Sequence, residues 1–167
     1  IDATRVIFKI QEDAGIDVIA DGEIYRYDIN HPDTNGMIDY FVRPLANVRS
    51  QPSRADIAKF HGDRQMAFRA KPAGVVDGPI GEGTLNLALD YERARALTKA
   101  DMKFTITGPH MLSKTLLDNH YGDRAALCDA IADVLAAQVS EIYPEVVQLD
   151  EANIPGHPED AAWAAKS

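Results

Sequence analysis

Three short apolar runs in this chain each end in a cluster of polar or turn-forming residues, and that pattern constrains the fold more than anything else in the sequence. Val146-Val147-Gln148-Leu149 runs into Asp150, Glu151 and Asn153; Ile16-Asp17-Val18-Ile19-Ala20 runs into Asp21, Gly22 and Glu23; Phe104-Thr105-Ile106-Thr107 runs into Gly108 and Pro109. A short apolar run bounded by turn signals reads as a strand buried in a parallel sheet. In strand-helix folds ligands bind where such strands end, so the three tips are expected at one rim. An ionised carboxylate is costly to desolvate. Asp21, Glu23, Asp150 and Glu151 therefore read either as solvated turn residues and helix caps, or as groups that bind an ammonium, ligate a metal or act as a general base.

The intervening segments read mostly as helices. Asp2 is placed to cap a helix whose apolar positions Val6, Ile7, Ile10 and Ala14 recur at helical spacing, with Gly15 as its stop. A strand over Asp17 to Asp21 and a polar loop over Tyr25 to Asn35 follow. Met37, Ile38, Phe41, Val42 and Leu45 then mark a second helix that Pro44 breaks or bends. Gln65 to Lys71 and Gly74 to Asp77 read as strands. Gly78 to Gly83 has the glycines of a flexible loop, but its spacing and Glu82 fit no phosphate-binding pattern. Tyr91 to Leu97 and Met111 to Asn119 read as short helices on either side of a strand over Lys103 to Thr107. Asp123 caps a long helix reaching Ile142, with Cys128 inside its apolar stripe as a core residue. Pro144 ends that helix and a strand begins at Glu145. The alternation predicts an α/β protein in which Asp17 to Asp21, Gly74 to Asp77, Lys103 to Thr107 and Val146 to Asp150 are parallel and adjacent.

Composition excludes several classes. A net charge of −9 disfavours nucleic acid as a partner. No apolar run approaches the ~20 residues that span a bilayer, and the first residues do not form a signal peptide, which predicts no membrane association and a cytoplasmic setting. One cysteine excludes an internal disulfide framework. The histidines His31, His61, His110, His120 and His157 show no helical metal-ligand spacing. His110 is the one placed at the rim, directly after Thr107-Gly108-Pro109, while Arg69 and Lys71 read as surface charges or contacts to an acidic substrate. The 167 residues begin at Ile1 and stop at Ser167 just after a new helical segment starts, so residues 1–167 are expected to be one partial domain of a larger fold.

Taken in order, Asp21-Gly22-Glu23, Met37-Ile38-Asp39-Tyr40-Phe41, Thr105 to Leu112 and Gln148-Leu149-Asp150-Glu151 resemble the catalytic domain of cobalamin-independent methionine synthase. The resemblance implies a (β/α)8 TIM barrel, of which this chain covers the second to fifth units; such barrels run to about 250 residues. It implies a 5-methyltetrahydropteroyltriglutamate-homocysteine methyltransferase-like enzyme that transfers a methyl group to the zinc-bound thiol of homocysteine. Zinc keeps a thiol deprotonated at neutral pH. By match to the family's motifs, Glu23 and Asp150 are implied to hold the substrate's amino group and Glu151 to shape the same rim; His110, placed at that rim by its position, stands where the family has a small or apolar residue. The family's zinc ligands come after the Asp150 strand, so the ligands are expected beyond Ser167, and this chain alone is expected to be inactive and to associate with the rest of its protein or with itself. Ala152 stands where the family has proline, and Phe68 to Pro72 only loosely resembles its folate-contacting segment, which leaves folate and corrinoid as alternative methyl donors. Another zinc-dependent thiol alkyltransferase and a non-catalytic amino-acid-binding barrel are the competing readings.

Overall fold

The computed structural model describes residues 1–27, 30, 35–63 and 69–166. Of the strand expected over Gln65 to Lys71, Gln65 to Phe68 lie outside them and Arg69 to Lys71 are not strand; Phe68 of the folate-like segment and His31 to Asp33 of the polar loop also lie outside them. Seven α-helices and six strands alternate among the described residues: α1 (Asp2–Asp13), β1 (Val18–Ala20), α2 (Asp39–Val42), β2 (Ala46–Arg49), α3 (Arg54–Asp63), β3 (Gly74–Gly81), α4 (Leu87–Arg95), β4 (Asp101–Thr107), α5 (Pro109–Thr115), β5 (Leu116–Asp118), α6 (Arg124–Val139), β6 (Val146–Asp150) and α7 (Ala161–Ala164). None of the helices is long and apolar enough to cross a membrane.

Strands β1, β4 and β6 form one parallel sheet in the order β1-β4-β6, with Ala20 opposite Lys103 and Asp150 opposite Thr107. The three runs singled out in the sequence are therefore neighbours that point the same way; β6 ends level with β4, at Asp150 and Thr107, while β1 ends opposite Lys103, four residues before the end of β4. The fourth expected neighbour is not among them. β3 belongs to a second sheet, β2-β3-β5, antiparallel to β2 and parallel to β5. The reason is edge occupancy: β4 has only two edges, and β1 and β6 take both. The described strands form two three-stranded sheets and no closed barrel.

Other expectations need correction. Gly78 to Gly81 is strand, not loop. Asn47 donates to the Pro79 carbonyl at 2.6 Å and the Ile80 N–H donates to the Tyr121 hydroxyl at 2.9 Å, so this glycine-rich piece is held from both sides. The turn after it needs Gly83, with φ at 59° and space so tight that a Cβ would meet the Pro44 carbonyl oxygen at 2.0 Å. The second helix shortens to the single turn of α2, and the helix expected over Met111 to Asn119 stops at Thr115, where Leu116 and Leu117 complete the edge of β3. The helix expected from Tyr91 starts earlier, at Leu87, because Asn86 caps it by accepting from the Leu89 N–H at 2.9 Å. On α1 the buried face is Thr4 and Phe8, not the expected stripe: Val6 is 57% and Ile10 59% exposed. The helix is oriented by Gln11, whose side-chain amide bonds both the N–H and the C=O of Ala20 at 2.9 and 2.7 Å and so satisfies backbone groups of β1.

The core lies between these layers. Ile19, Met102, Phe104 and Ile106 from the β1-β4-β6 sheet pack with Leu127, Ile131, Val134 and Leu135 of α6 and with Phe41 and Leu87. Asp123 caps α6 through the Ala125 N–H as expected, and Cys128 is fully buried in that helix. Packing of this kind, at ~25 cal/mol per Å² of apolar surface, holds the rim's strands at fixed spacing.

Candidate functional site

At the end of β1 the chain turns on Asp21. Its buried carboxylate accepts from the Glu23 N–H at 3.0 Å and from the Tyr25 hydroxyl at 2.9 Å, so both oxygens are used within the turn. Gly22 at φ 73° and Glu23 at φ 56° both adopt left-handed backbone, and at Gly22 a Cβ would lie 2.9 Å from Ile7. A glutamate rarely adopts that conformation. Here it turns the Glu23 side chain toward Arg26, whose Nη1 donates to Glu23 Oε2 at 2.8 Å.

Arg26 sits in a one-turn 3₁₀ helix (Ile24–Arg26) with its side chain 1% exposed. Its Nη2 donates to the Thr105 carbonyl of β4 at 2.6 Å, and its guanidinium lies 4.9 Å from the ring centre of Tyr40, 5.0 Å from Phe41 and 5.5 Å from Phe104. Cation–π attraction of this kind compensates part of the desolvation. Burial raises the Glu23 carboxyl above its ordinary value; Arg26 opposes this, and the negative charges of Asp21 and Asp150 add to it.

Asp150 ends β6. Gln148 donates to its Oδ1 at 2.8 Å while itself accepting from Lys103 at 2.7 Å, and the Asp150 carbonyl accepts from the Gly108 N–H at 2.9 Å. A cleft of about 450 Å³ opens beside it, lined by Asn35, Met37, Thr107, Met111, Asp150 and Glu151 among others; Glu23 is not among its lining residues. The Thr107 hydroxyl donates to the Met37 carbonyl at 2.6 Å and so ties the segment before α2 to the end of β4.

Glu151 is engaged differently. Its two oxygens accept from the His110 and Met111 N–H groups at 2.8 and 2.9 Å, so it caps α5. The fit explains Gly108, where a Cβ would lie 2.1 Å from Glu151 Oε1. Burial raises the Glu151 carboxyl, and the two N–H groups and His110 work against that rise. His110 is buried and is not among the residues lining the cleft. Its Nε2 lies 3.1 Å from Asp160 Oδ2, its ring 5.1 Å from that of Trp163, and its Nδ1 3.7 Å from Glu151. Asp160 also pairs with Lys114 at 2.5 Å. Burial opposes the charge of Asp160, but the bonds from Lys114 and His110 outweigh it and hold the carboxyl down at about 2.

Sequence reasoning thus found the four carboxylates but not their division of labour, and it missed Arg26. The signal was present only as an arginine three residues after Glu23, and nothing local shows that this arginine turns inward. The described residues do not fit the zinc that the resemblance implies. Among them His157, Glu159 and Asp160 form a group whose donor atoms lie within 4.8 Å of one another. However, it contains no cysteine, His157 Nδ1 is 3.2 Å from Glu159, and Asp160 already neutralises Lys114. Cys128 lies buried on α6.

No protein-family model matches the chain. Among curated proteins it is 25% identical over 173 residues to the methionine synthase of Sulfolobus acidocaldarius, an alignment spanning 99% of this chain and 45% of that protein. It is 22% identical over 172 residues to the methionine synthase of Saccharolobus solfataricus, spanning 99% of this chain and 46% of the other. Among solved structures, a B12-independent methionine synthase from Shewanella sp. W3-18-1, determined in complex with selenomethionine, matches with a TM-score of 0.71 at 21% identity, over 96% of this chain and 44% of that one. The resemblance read from the ordered motifs is borne out. The chain is similar along its length to methionine synthases, and it spans less than half the length of the curated relatives it matches.

Proposed function

We propose that this chain is part of a methyltransferase of methionine synthesis and that its rim holds the ammonium group of homocysteine between Glu23 and Asp150. The observation that carries the reading is the convergence of these two carboxylates from strands on opposite sides of β4. Ala20 ends β1 opposite Lys103 and Asp150 ends β6 opposite Thr107, four positions further along β4; the Asp21 to Glu23 turn carries the chain on from Ala20, and the two acidic side chains with one ammonium are read as filling the gap across two strand spacings of ~4.8 Å. Glu23 uses Oε2 on Arg26 and Asp150 uses Oδ1 on Gln148, and on this reading the second oxygen of each accepts from the ligand. A bound cation removes the repulsion that the two carboxylates exert on each other.

On this reading Asp21 and Glu151 serve the rim from behind by fixing the turns that carry Glu23 and Asp150, and His110 steadies α5 from its buried side. The parallel β1-β4-β6 sheet is read as an arc of a (β/α)8 barrel in a cytoplasmic enzyme. The exposed face of β6, where Val146, Val147 and Leu149 are 44, 40 and 54% exposed, is where the arc would be covered. Activation of the thiol by zinc and delivery of the methyl group, from a folate or a corrinoid, belong to parts of the protein outside the described residues.

The test is binding of L-homocysteine by the full-length protein, followed by methyl transfer from each donor class. Charge-assisted hydrogen bonds contribute roughly 1.5–3 kcal/mol each, so Glu23→Gln and Asp150→Asn should each weaken binding about tenfold or more. Normal homocysteine affinity in both variants sinks the assignment. Binding without methyl transfer from either donor class supports an amino-acid-binding module instead.

A further inference from the structure

We infer that Arg26 is a positioning residue for amine recognition: it fixes the Glu23 carboxylate so that its second oxygen faces the substrate's ammonium. The inference rests on the reading of Glu23 given above. Arg26 grips Glu23 with one nitrogen at 2.8 Å and the Thr105 carbonyl of β4 with the other at 2.6 Å. The guanidinium is a planar fork, so the two bonds together set the distance between the β1 tip and the strand that separates it from Asp150. Glu23, in left-handed backbone at φ 56°, has few other ways to keep that orientation.

The pocket around Arg26 is aromatic, formed by Tyr40, Phe41 and Phe104, and among the described residues Arg26 Nε has no hydrogen-bond partner. A methionine would fill that pocket but would supply neither the bond to Glu23 nor the bond to the Thr105 carbonyl, and removing one partner of a buried ion pair is destabilising. A purely structural role therefore predicts lost stability alone, whereas a positioning role predicts a loss of amine binding as well.

The experiment compares L-methionine with its des-amino analogue, 4-(methylthio)butanoate, as probes for calorimetric binding to the full-length protein, alongside thermal melting. Arg26→Met should melt below the parent, bind L-methionine about tenfold more weakly and bind the analogue unchanged. In the Glu23→Gln background the same change should weaken L-methionine binding no further. Arg26→Lys keeps a cation beside Glu23 and should recover most of the lost affinity; it also decides the question if the methionine variant fails to fold, because a lysine variant that is folded and yet as weak as Glu23→Gln counts against the proposal. Equal loss for both probes, or no loss for L-methionine, overturns the positioning role while leaving amine binding by Glu23 standing. If Glu23→Gln itself binds L-methionine normally, amine recognition at this rim fails, and the role of Arg26 fails with it.

Discussion

The tips of β1 and β6 carry the same chemistry in opposite order. At each tip two carboxylates occur close together, and at each tip one is spent on the chain's own N–H groups while the other faces outward. On β1 the first, Asp21, is spent and the second, Glu23, is presented; on β6 the first, Asp150, is presented and the second, Glu151, is spent. The supports differ as well. Glu23 is held by a buried arginine, whereas Asp150 is held by the neutral amide of Gln148. On the function proposed above, the carboxylate assigned to the ligand at each tip neighbours one that satisfies the turn.

The largest effect should come from breaking the spent member at the more buried tip. Asp21→Ala leaves the Glu23 N–H and the Tyr25 hydroxyl without their acceptor in a site that is 1% exposed. A loss of about 3 kcal/mol in denaturant unfolding is expected. Glu151→Ala removes an equal number of bonds from a side chain that is 16% exposed, where water can replace them, and should lose only about 1–2 kcal/mol. Equal losses would show that the two tips are not built on different degrees of burial.

Behind the β6 tip, Asp160 provides a pH test. Its folded pKa is depressed to about 2, so its contribution to stability is full above the ordinary carboxylate range, near 4, and is lost as pH falls through about 2. That contribution is about 2 kcal/mol. Acid unfolding followed between pH 5 and 2 should show it in the parent and not in Asp160→Asn, and identical acid profiles would count against the Lys114 and His110 pairing.

The presented carboxylates should act first on binding. Glu23→Gln and Asp150→Asn should weaken L-homocysteine binding about tenfold, roughly 1.4 kcal/mol. Asp150→Asn should change unfolding little, whereas Glu23→Gln also leaves the buried Arg26 without its counter-charge and should unfold more easily. An Asp150→Asn variant that loses stability and affinity together would place Asp150 with Asp21 and Glu151.

The smallest effect sharpens the comparison most. Burial raises the Glu23 carboxyl, with Arg26 opposing and Asp21 and Asp150 adding to the rise. Only the ionised form binds an ammonium, so affinity should fall as pH drops through a value above the ordinary glutamate range. Asp150→Asn removes one source of repulsion and should move that acid limb to lower pH. An unmoved limb in a pH series of binding measurements would mean that the two carboxylates do not share a site.

The sequence was legible where burial and chain direction act together. The apolar runs around Val18, Phe104 and Val146, each broken by polar residues, correctly indicated parallel neighbours, because such runs pair within a parallel sheet; the burial they imply holds for Ile19 and for β4 but not for β6, where Val146, Val147 and Leu149 are 44, 40 and 54% exposed. It was not legible where pairing alone makes a strand. Ala46–Arg49 and Leu116–Asp118 are too short to show a period, and Gly78 to Gly81 carries loop-like residues; all three are strand because a partner edge is available.

From the sequence alone came the inventory of the rim: which carboxylates stand at the strand ends, and the order of motifs that matches the methionine synthases. Tertiary structure alone decided which carboxylates are used up. Asp21 and Glu151 differ from Glu23 and Asp150 through the N–H groups that face them, and in the case of Glu151 those donors lie 40 and 41 residues away along the chain. The burial of Arg26 was decided in the same way, by a carbonyl on β4 that lies 79 residues from it. Hydrogen bonding acts over about 3 Å of space and is indifferent to separation along the chain, so the same residue types in the same order carry no local mark of which carboxylate the fold consumes.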